Sequence, residues 1–203
     1  MDTVTHVDYA GMPAHITQMR RIAGELNEEL VKAYKSVADM HSIWYGKRYN
    51  DLVKAFNEII PSLNELTDLV VGQIPYALEI IANNYSNLDK LPNVTTPVRE
   101  LPRKIPNIPV INDVGMKYIS GEVPLLRQNI IANFHNAKEK MNNLEKEYSS
   151  IVWDTDASKR FKEEFTKTKN SIVSSFEKIE TQFAQLMAET EQDVEKTENA
   201  NKV

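Results

Sequence analysis

From Met19 onward the hydrophobic residues fall at Met19, Ala23, Leu26, Leu30, Ala33, Val37, Met40 and Trp44, in steps of four and three. A repeat near 3.5 residues marks a helix that packs along its length against another. Gly11 and Pro13 mark the start of this helix, because a proline in the first turn removes an N–H that has no partner anyway. A second run follows at Leu52, Phe56, Ile59, Leu63, Leu66, Val70, Ile74, Ala77, Ile81 and Leu88. Pro61 and Pro75 interrupt it. Each lacks a backbone donor and crowds the preceding turn, so kinks or breaks are expected there, or short helices in place of one long one. The stretch between the two runs, His41 to Tyr49, reads as the turn of a helical hairpin.

Residues 90–122 differ. Pro92, Pro97, Pro102, Pro106 and Pro109 recur every few residues, a spacing that no helix survives, and predict an extended, partly polyproline-like linker. Gly121 and Pro124 restart a helix as Gly11 and Pro13 do. The third run is Leu126, Ile130, Phe134, Ala137, Met141, Leu144, Tyr148 and Ile151. The fourth, beyond Trp153-Asp154-Thr155-Asp156, is Phe161, Phe165, Ile172, Phe176, Ile179, Phe183 and Leu186. From Glu189 the chain is acidic, lacks large apolar residues and is expected to fray.

The halves form a weak internal repeat. With Trp44 set on Trp153, Leu52 falls on Phe161, Phe56 on Phe165, Leu63 on Ile172, Val70 on Ile179 and Ile74 on Phe183. The expected fold is all-α: two long helical hairpins packed antiparallel as an elongated four-helix bundle, joined by the extended Pro-rich linker. The expected organisation is a flexible leader over 1–12, a first hairpin over 13–89, the linker over 90–122, a second hairpin over 123–198 and a frayed tail over 199–203. Linker length favours the head-to-tail arrangement. A helical arm of about 30 residues spans roughly 45 Å, and about 30 residues of polyproline-like chain reach roughly 90 Å.

Composition narrows the function. The 203 residues carry a net charge of −5, which argues against a general nucleic-acid binder and gives no attraction to anionic lipid. With no cysteine, disulfides, thiol catalysis and thiolate metal sites are excluded. Met1 to His6 has no basic segment or apolar core of a signal peptide. The most apolar window, Leu66 to Ala82, is broken by Asp68, Gln73, Pro75 and Glu79, too polar for a membrane span. His6, His15, His41 and His135 show no ligand spacing. Asp154 and Asp156 lack a third ligand, and Thr155 or Asp156 reads more simply as a helix N-cap. No nucleophile–base set or phosphate loop is present. No enzyme, cofactor or metal is expected.

The only two tryptophans sit at the hairpin tips, and there the chain resembles the WXG family, the ESAT-like helical hairpins exported by type VII secretion. Trp44-Tyr45-Gly46 fits that family's turn motif, with Gly46 supplying a backbone shape that glycine adopts cheaply. The second copy, Trp153-Asp154-Thr155, has Thr in place of Gly, although Ala157 and Phe161 keep the family's downstream pattern. The chain is similar to two such units in tandem, over about residues 13–89 and 124–198. The family's export signal, Tyr-x-x-x-Asp/Glu after the second helix, is matched by Tyr85-Ser86-Asn87-Leu88-Asp89. Tyr118 to Glu122 also matches, but Tyr85 has the right position. The corresponding place in the second unit, Val194 to Glu198, has no tyrosine.

The resemblance implies a non-enzymatic type VII secretion protein, a self-contained pseudo-dimer made in the cytoplasm and secreted without a cleaved signal peptide. The implied partners are the secretion membrane ATPase and a co-secreted effector or toxin. It further implies that Tyr85, Asp89 and Trp153 form one composite recognition site. Two alternatives stay open: a targeting helper for an LXG-type toxin, and a helical scaffold or membrane-active helical protein. The plain reading of Trp44 and Trp153 is that they are core plugs.

Overall fold

The computed structural model describes residues 6–112 and 115–202. Residues 1–5 of the expected leader, 113–114 of the linker and Val203 of the tail lie outside them. The fold is mostly helical and all-α in class. Helix α1 spans Met12–Asp39 and is followed by a short 3-10 turn, Met40–Ser42. Helix α2 (Lys47–Thr67) passes through a π-helical stretch, Asp68–Gln73, into α3 (Ile74–Leu88). Helices α4 (Val123–Ser150) and α5 (Asp156–Ala200) form the second half. Among the described residues there are four two-residue strands: β1 His6–Val7, β2 Trp44–Tyr45, β3 Lys117–Tyr118 and β4 Trp153–Asp154.

The polar contacts between helices run in reverse numerical order. Between α1 and α4, His15 meets Glu147 at 2.6 Å, Glu25 meets Lys140 at 2.6 Å and Glu29 meets Asn136 at 3.2 Å. Between α1 and α2, the Tyr34 hydroxyl donates to the Phe56 carbonyl and that of Tyr49 to the Val37 carbonyl. Between α4 and α5, Glu145 accepts from Thr166 and pairs with Lys169, and Lys138 pairs with Glu177 at 3.6 Å. Each of these pairs of helices is antiparallel. An aromatic row joins α1, α2, α4 and α5. Tyr34 meets Phe56 edge-on at 5.2 Å, Phe56 stacks on Phe134 at 5.7 Å, and Phe134 stacks on Phe176 at 4.2 Å.

The expected seams of α1 and α4 are buried, except that Leu126 is half-buried. The second run departs from its reading. Pro61 is carried inside α2 without a break. The irregularity falls at Asp68–Gln73, where the Ile74 amide bonds to Leu69, five residues back. Pro75 follows directly, lacks the N–H that a regular turn would use, and so suits the exit from a wider turn. The wide turn rotates the helix face. Leu78 and Ala82 are buried where Ala77 and Ile81 were expected, and Leu88 is 74% exposed.

The ends also differ from expectation. Residues 6–7 form β1, which pairs antiparallel with β4, Val7 facing Trp153. The expected fraying from Glu189 is absent, because α5 continues to Ala200. Glu189 and Asp193 there pair with Arg48, and Glu191 accepts from the Tyr118 hydroxyl. These contacts replace the packing that the sequence lacks.

The Pro-rich segment carries no regular secondary structure over residues 91–112, yet its backbone is held by helix side chains. Asn50, Asn57 and Asn64 each accept from the N–H and donate to the C=O of a single residue: Ile111, Ile108 and Ile105 respectively, at 2.7–3.1 Å. Asn27 does the same for Arg103 and Asn83 for Thr95. At Val98 a pair replaces the amide: Glu79 accepts the N–H and Arg20, itself bidentate to Glu79, donates to the C=O. Gly72 lies under this strap, where a Cβ would come within 2.7 Å of the Glu100 carbonyl oxygen.

Two outcomes follow from these contacts. Among the described residues the buried Tyr148 hydroxyl has no hydrogen-bond partner, and burial holds its pKa high. Tyr148→Phe therefore stabilises the fold by about 1 kcal/mol, read as a raised denaturant midpoint. Lys169, with Thr166 assisting, holds the Glu145 carboxyl below its usual value. Its contribution is present above the unfolded-state pKa and is lost as pH falls through the lower folded one. Glu145→Gln is therefore less stable than the parent at pH 7, and the two converge below about pH 4 in parallel urea titrations.

Candidate recognition surfaces at the helix ends

Tyr85 and Asp89 stand four residues apart, so they share one face at the end of α3. The helix stops in a Schellman arrangement: the Leu91 amide bonds to the Ser86 carbonyl and the Lys90 amide to that of Asn87, both at 3.0 Å. Lys90 takes the left-handed backbone this requires, with φ 61°, a position that glycine fills at lower cost. The stop leaves Asp89 exposed and Tyr85 half-buried.

Asp89 is not isolated. Its carboxylate accepts from the Tyr9 hydroxyl at 2.6 Å, and this bond is the main reason the Tyr9 pKa is raised. Two residues upstream, β1 lies on β4, and the Asp8 amide donates to the Val152 carbonyl at 2.9 Å. The leader thus connects Asp89 to the Trp153 turn. Trp153 itself is only 6% exposed, its ring tilted against Phe161 at 6.2 Å. Asp89, Leu88 and Leu91 are exposed where α3 ends, and Tyr9 beside them is half-buried.

A related set lies at the Trp44 turn. Strand β2 pairs antiparallel with β3, Trp44 facing Tyr118. Trp44 is 1% exposed, stacked on Phe183 of α5 at 6.0 Å and edge-on to Tyr118 at 5.7 Å. Burial, then the bond to Glu191, pushes the Tyr118 pKa up. Arg48 reaches Asp193 at 2.6 Å and Glu189 at 3.2 Å. Gln185, then Arg48, holds the Glu189 carboxyl below its usual value. An open cleft of about 480 Å³ lies beside Gly46, Arg48, Met116 and Asp193.

The two turns reach their shape by different chemistry. Gly46 has φ 123° and ψ −172° and precedes α2 with no side-chain cap. Only glycine enters that region readily. Thr155 has an ordinary extended backbone, φ −141°, and caps α5 with its side chain. Its hydroxyl accepts from the Ser158 amide at 3.2 Å while Ser158 reaches back to the Thr155 amide at 3.4 Å. A capping box thus accounts for threonine where the other turn has glycine.

Of the sequence-predicted residues, Tyr85, Asp89 and Trp153 lie at one end of the molecule, while Trp44 and Gly46 form the turn at the other. Tyr9 and Arg48 were not singled out, and Tyr118 was named only as the start of a second match to the export pattern. Tyr9 and Tyr118 stand at the same offset as Trp44 and Trp153, a repeat signal that was available. Among the described residues no group of three or more His, Asp or Glu could hold a metal ion, and no helix is long and apolar enough to cross a membrane. No family model, curated protein or solved structure matches the chain.

The asymmetry of the turns is testable. Gly46→Ala costs about 1–3 kcal/mol through backbone strain, whereas Thr155→Gly costs only a few tenths, about 0.3 kcal/mol. Equal losses in thermal melts of the two variants would contradict this account.

Proposed function

We propose that this chain is a non-enzymatic protein of a type VII secretion system: two WXG-type helical hairpins fused in tandem, head to tail, as an intramolecular pseudo-dimer. It is exported, or carries a partner out, after recognition by the secretion ATPase. The observation that carries this reading is the bridge from Asp89 through Tyr9 to the strand lying on the Trp153 turn. It joins the export-signal candidate of one half to the tryptophan corner of the other. Supporting it are the glycine-only backbone of the Trp44-Tyr45-Gly46 turn and the antiparallel order of the α1–α4 contacts. Fusion fixes the stoichiometry of the two halves and raises the effective concentration of one for the other.

Because both indoles are packed, the ATPase reads the exposed rim, Asp89 and its neighbours, while each tryptophan holds that rim in place. A second reading, a targeting helper for an LXG-type toxin, draws on Leu88 and Leu91, two exposed apolar side chains flanking Asp89. A helper needs such surface for its client.

Export from cells with and without the membrane ATPase tests the main reading. The expected result is protein in the culture medium only when the ATPase is present. Tyr85→Ala and Asp89→Ala are expected to retain the protein in the cell with its circular dichroism unchanged. Unaltered export of both variants sinks the proposal. Loss of a co-expressed toxin from the medium with Leu88→Ser and Leu91→Ser, while the chain itself is still made, favours the helper.

A further inference from the structure

The strap contacts form a reading frame for extended backbone. Asn50, Asn57 and Asn64 repeat every seven residues along α2, and their partners Ile111, Ile108 and Ile105 repeat every three along the strap. Seven helical residues advance about 10.5 Å, and three residues of polyproline-type chain advance about 9.3 Å. The two repeats match closely enough for one amide side chain to meet the main-chain N–H and C=O of one strap residue at every step. Each asparagine satisfies both the donor and the acceptor of its partner residue, so the groove recognises main chain and leaves the side chains between the clamps unread. Side-chain selection comes from the buried positions alone: Ile105 and Ile108 enter the core, while Pro106, Asn107 and Pro109 face outward.

The strap does not fill its groove. An open cleft of about 390 Å³ remains between it and α1, walled by Val31, Tyr34 and Ala38. The attachment rests on paired amide bonds worth about 1 kcal/mol each net and on two buried isoleucines, Ile105 and Ile108. Hydrogen-bonded side-chain clamps, an every-third-residue aliphatic anchor and unoccupied space beside them make a binding site that already holds a ligand.

We propose that the α1–α2 face is a receptor groove for an extended, polyproline-type peptide with a branched aliphatic residue at every third position, and that residues 103–111 are its resident ligand. A partner segment of the same chemistry, Ile-Pro-x-Ile in pattern, displaces the strap and takes over the asparagine clamps. This inference stands independently of the secretion reading, since it uses neither helix end.

The test uses the full chain and a fluorescein-labelled peptide of residues 101–112. Ile105→Asp with Ile108→Asp expels the resident strap and leaves the groove intact. That variant is expected to bind the peptide at least about tenfold more tightly than the parent chain. Adding Asn57→Ala and Asn64→Ala is expected to remove the gain, and a peptide carrying the two Asp replacements is expected not to bind. No gain on strap expulsion, with helical circular dichroism retained, overturns the proposal, as does a gain indifferent to the asparagines. If the expelled variant fails to fold, hydrogen exchange on the unmodified chain decides. The Ile105, Ile108 and Ile111 amides are expected to exchange well before those inside α1 and α2. Exchange of all of them together, only on global unfolding, shows a strap that cannot be displaced and overturns the proposal equally.

Discussion

Everything in this molecule depends on the contact between Phe56, Phe134 and Phe176. Helices α1 and α2 bury apolar side chains along one face, and so do α4 and α5. Neither pair has enough partner surface of its own. The phenylalanine row crosses from one pair to the other, with ring spacings of 5.7 and 4.2 Å. Truncating such a ring removes its burial and leaves a cavity, a loss of about 3–5 kcal/mol, which is a large share of the stability of a typical domain. The packing at the far ends repeats this logic on a smaller scale. Each tryptophan is covered by the strand that leads into the other half, and Trp44 also by Phe183.

That mutual cover explains why polar contacts gather where they do. Helix α5 buries no large apolar side chain after Met187 and runs on to Ala200, with Arg48 and Tyr118 holding its carboxylates at Glu189, Glu191 and Asp193. Asp89 ends α3 and is met by Tyr9 from the leader. Hydrophobic burial sets which helices face one another. The charge pairs and tyrosine bonds then pin the ends, where apolar residues are scarce and fraying would otherwise begin.

The sequence made the helices legible because their seams are long and regular: Met19 to Trp44 and Ile130 to Ile151 read correctly residue by residue. The phase after Ile74 did not, since a π turn adds a residue that no simple periodicity anticipates, and Pro75 pointed to a break rather than to a widened turn. The two-residue strands were illegible for another reason. Each is too short for an alternating pattern, and each depends on a partner more than 70 residues away. At the candidate site, Tyr85 and Asp89 were singled out by motif and position. Tyr9 was missed because its role appears only when the leader is laid on the Trp153 turn. The asparagine ladder was within reach: Asn50, Asn57 and Asn64 follow Tyr49, Phe56 and Leu63 by one position each. A row of amides beside an apolar seam is easily passed over as solvated surface.

The match between seven helical residues and three strap residues works as a gear ratio. A single residue gained or lost in the strap would put every later isoleucine out of mesh with its asparagine, and a single residue in α2 would do the same from the other side. Change in the length of this protein is therefore quantised. Its first half can grow or shrink only by a whole heptad of helix together with a whole triplet of strap, while the exposed residues within each triplet stay free to drift.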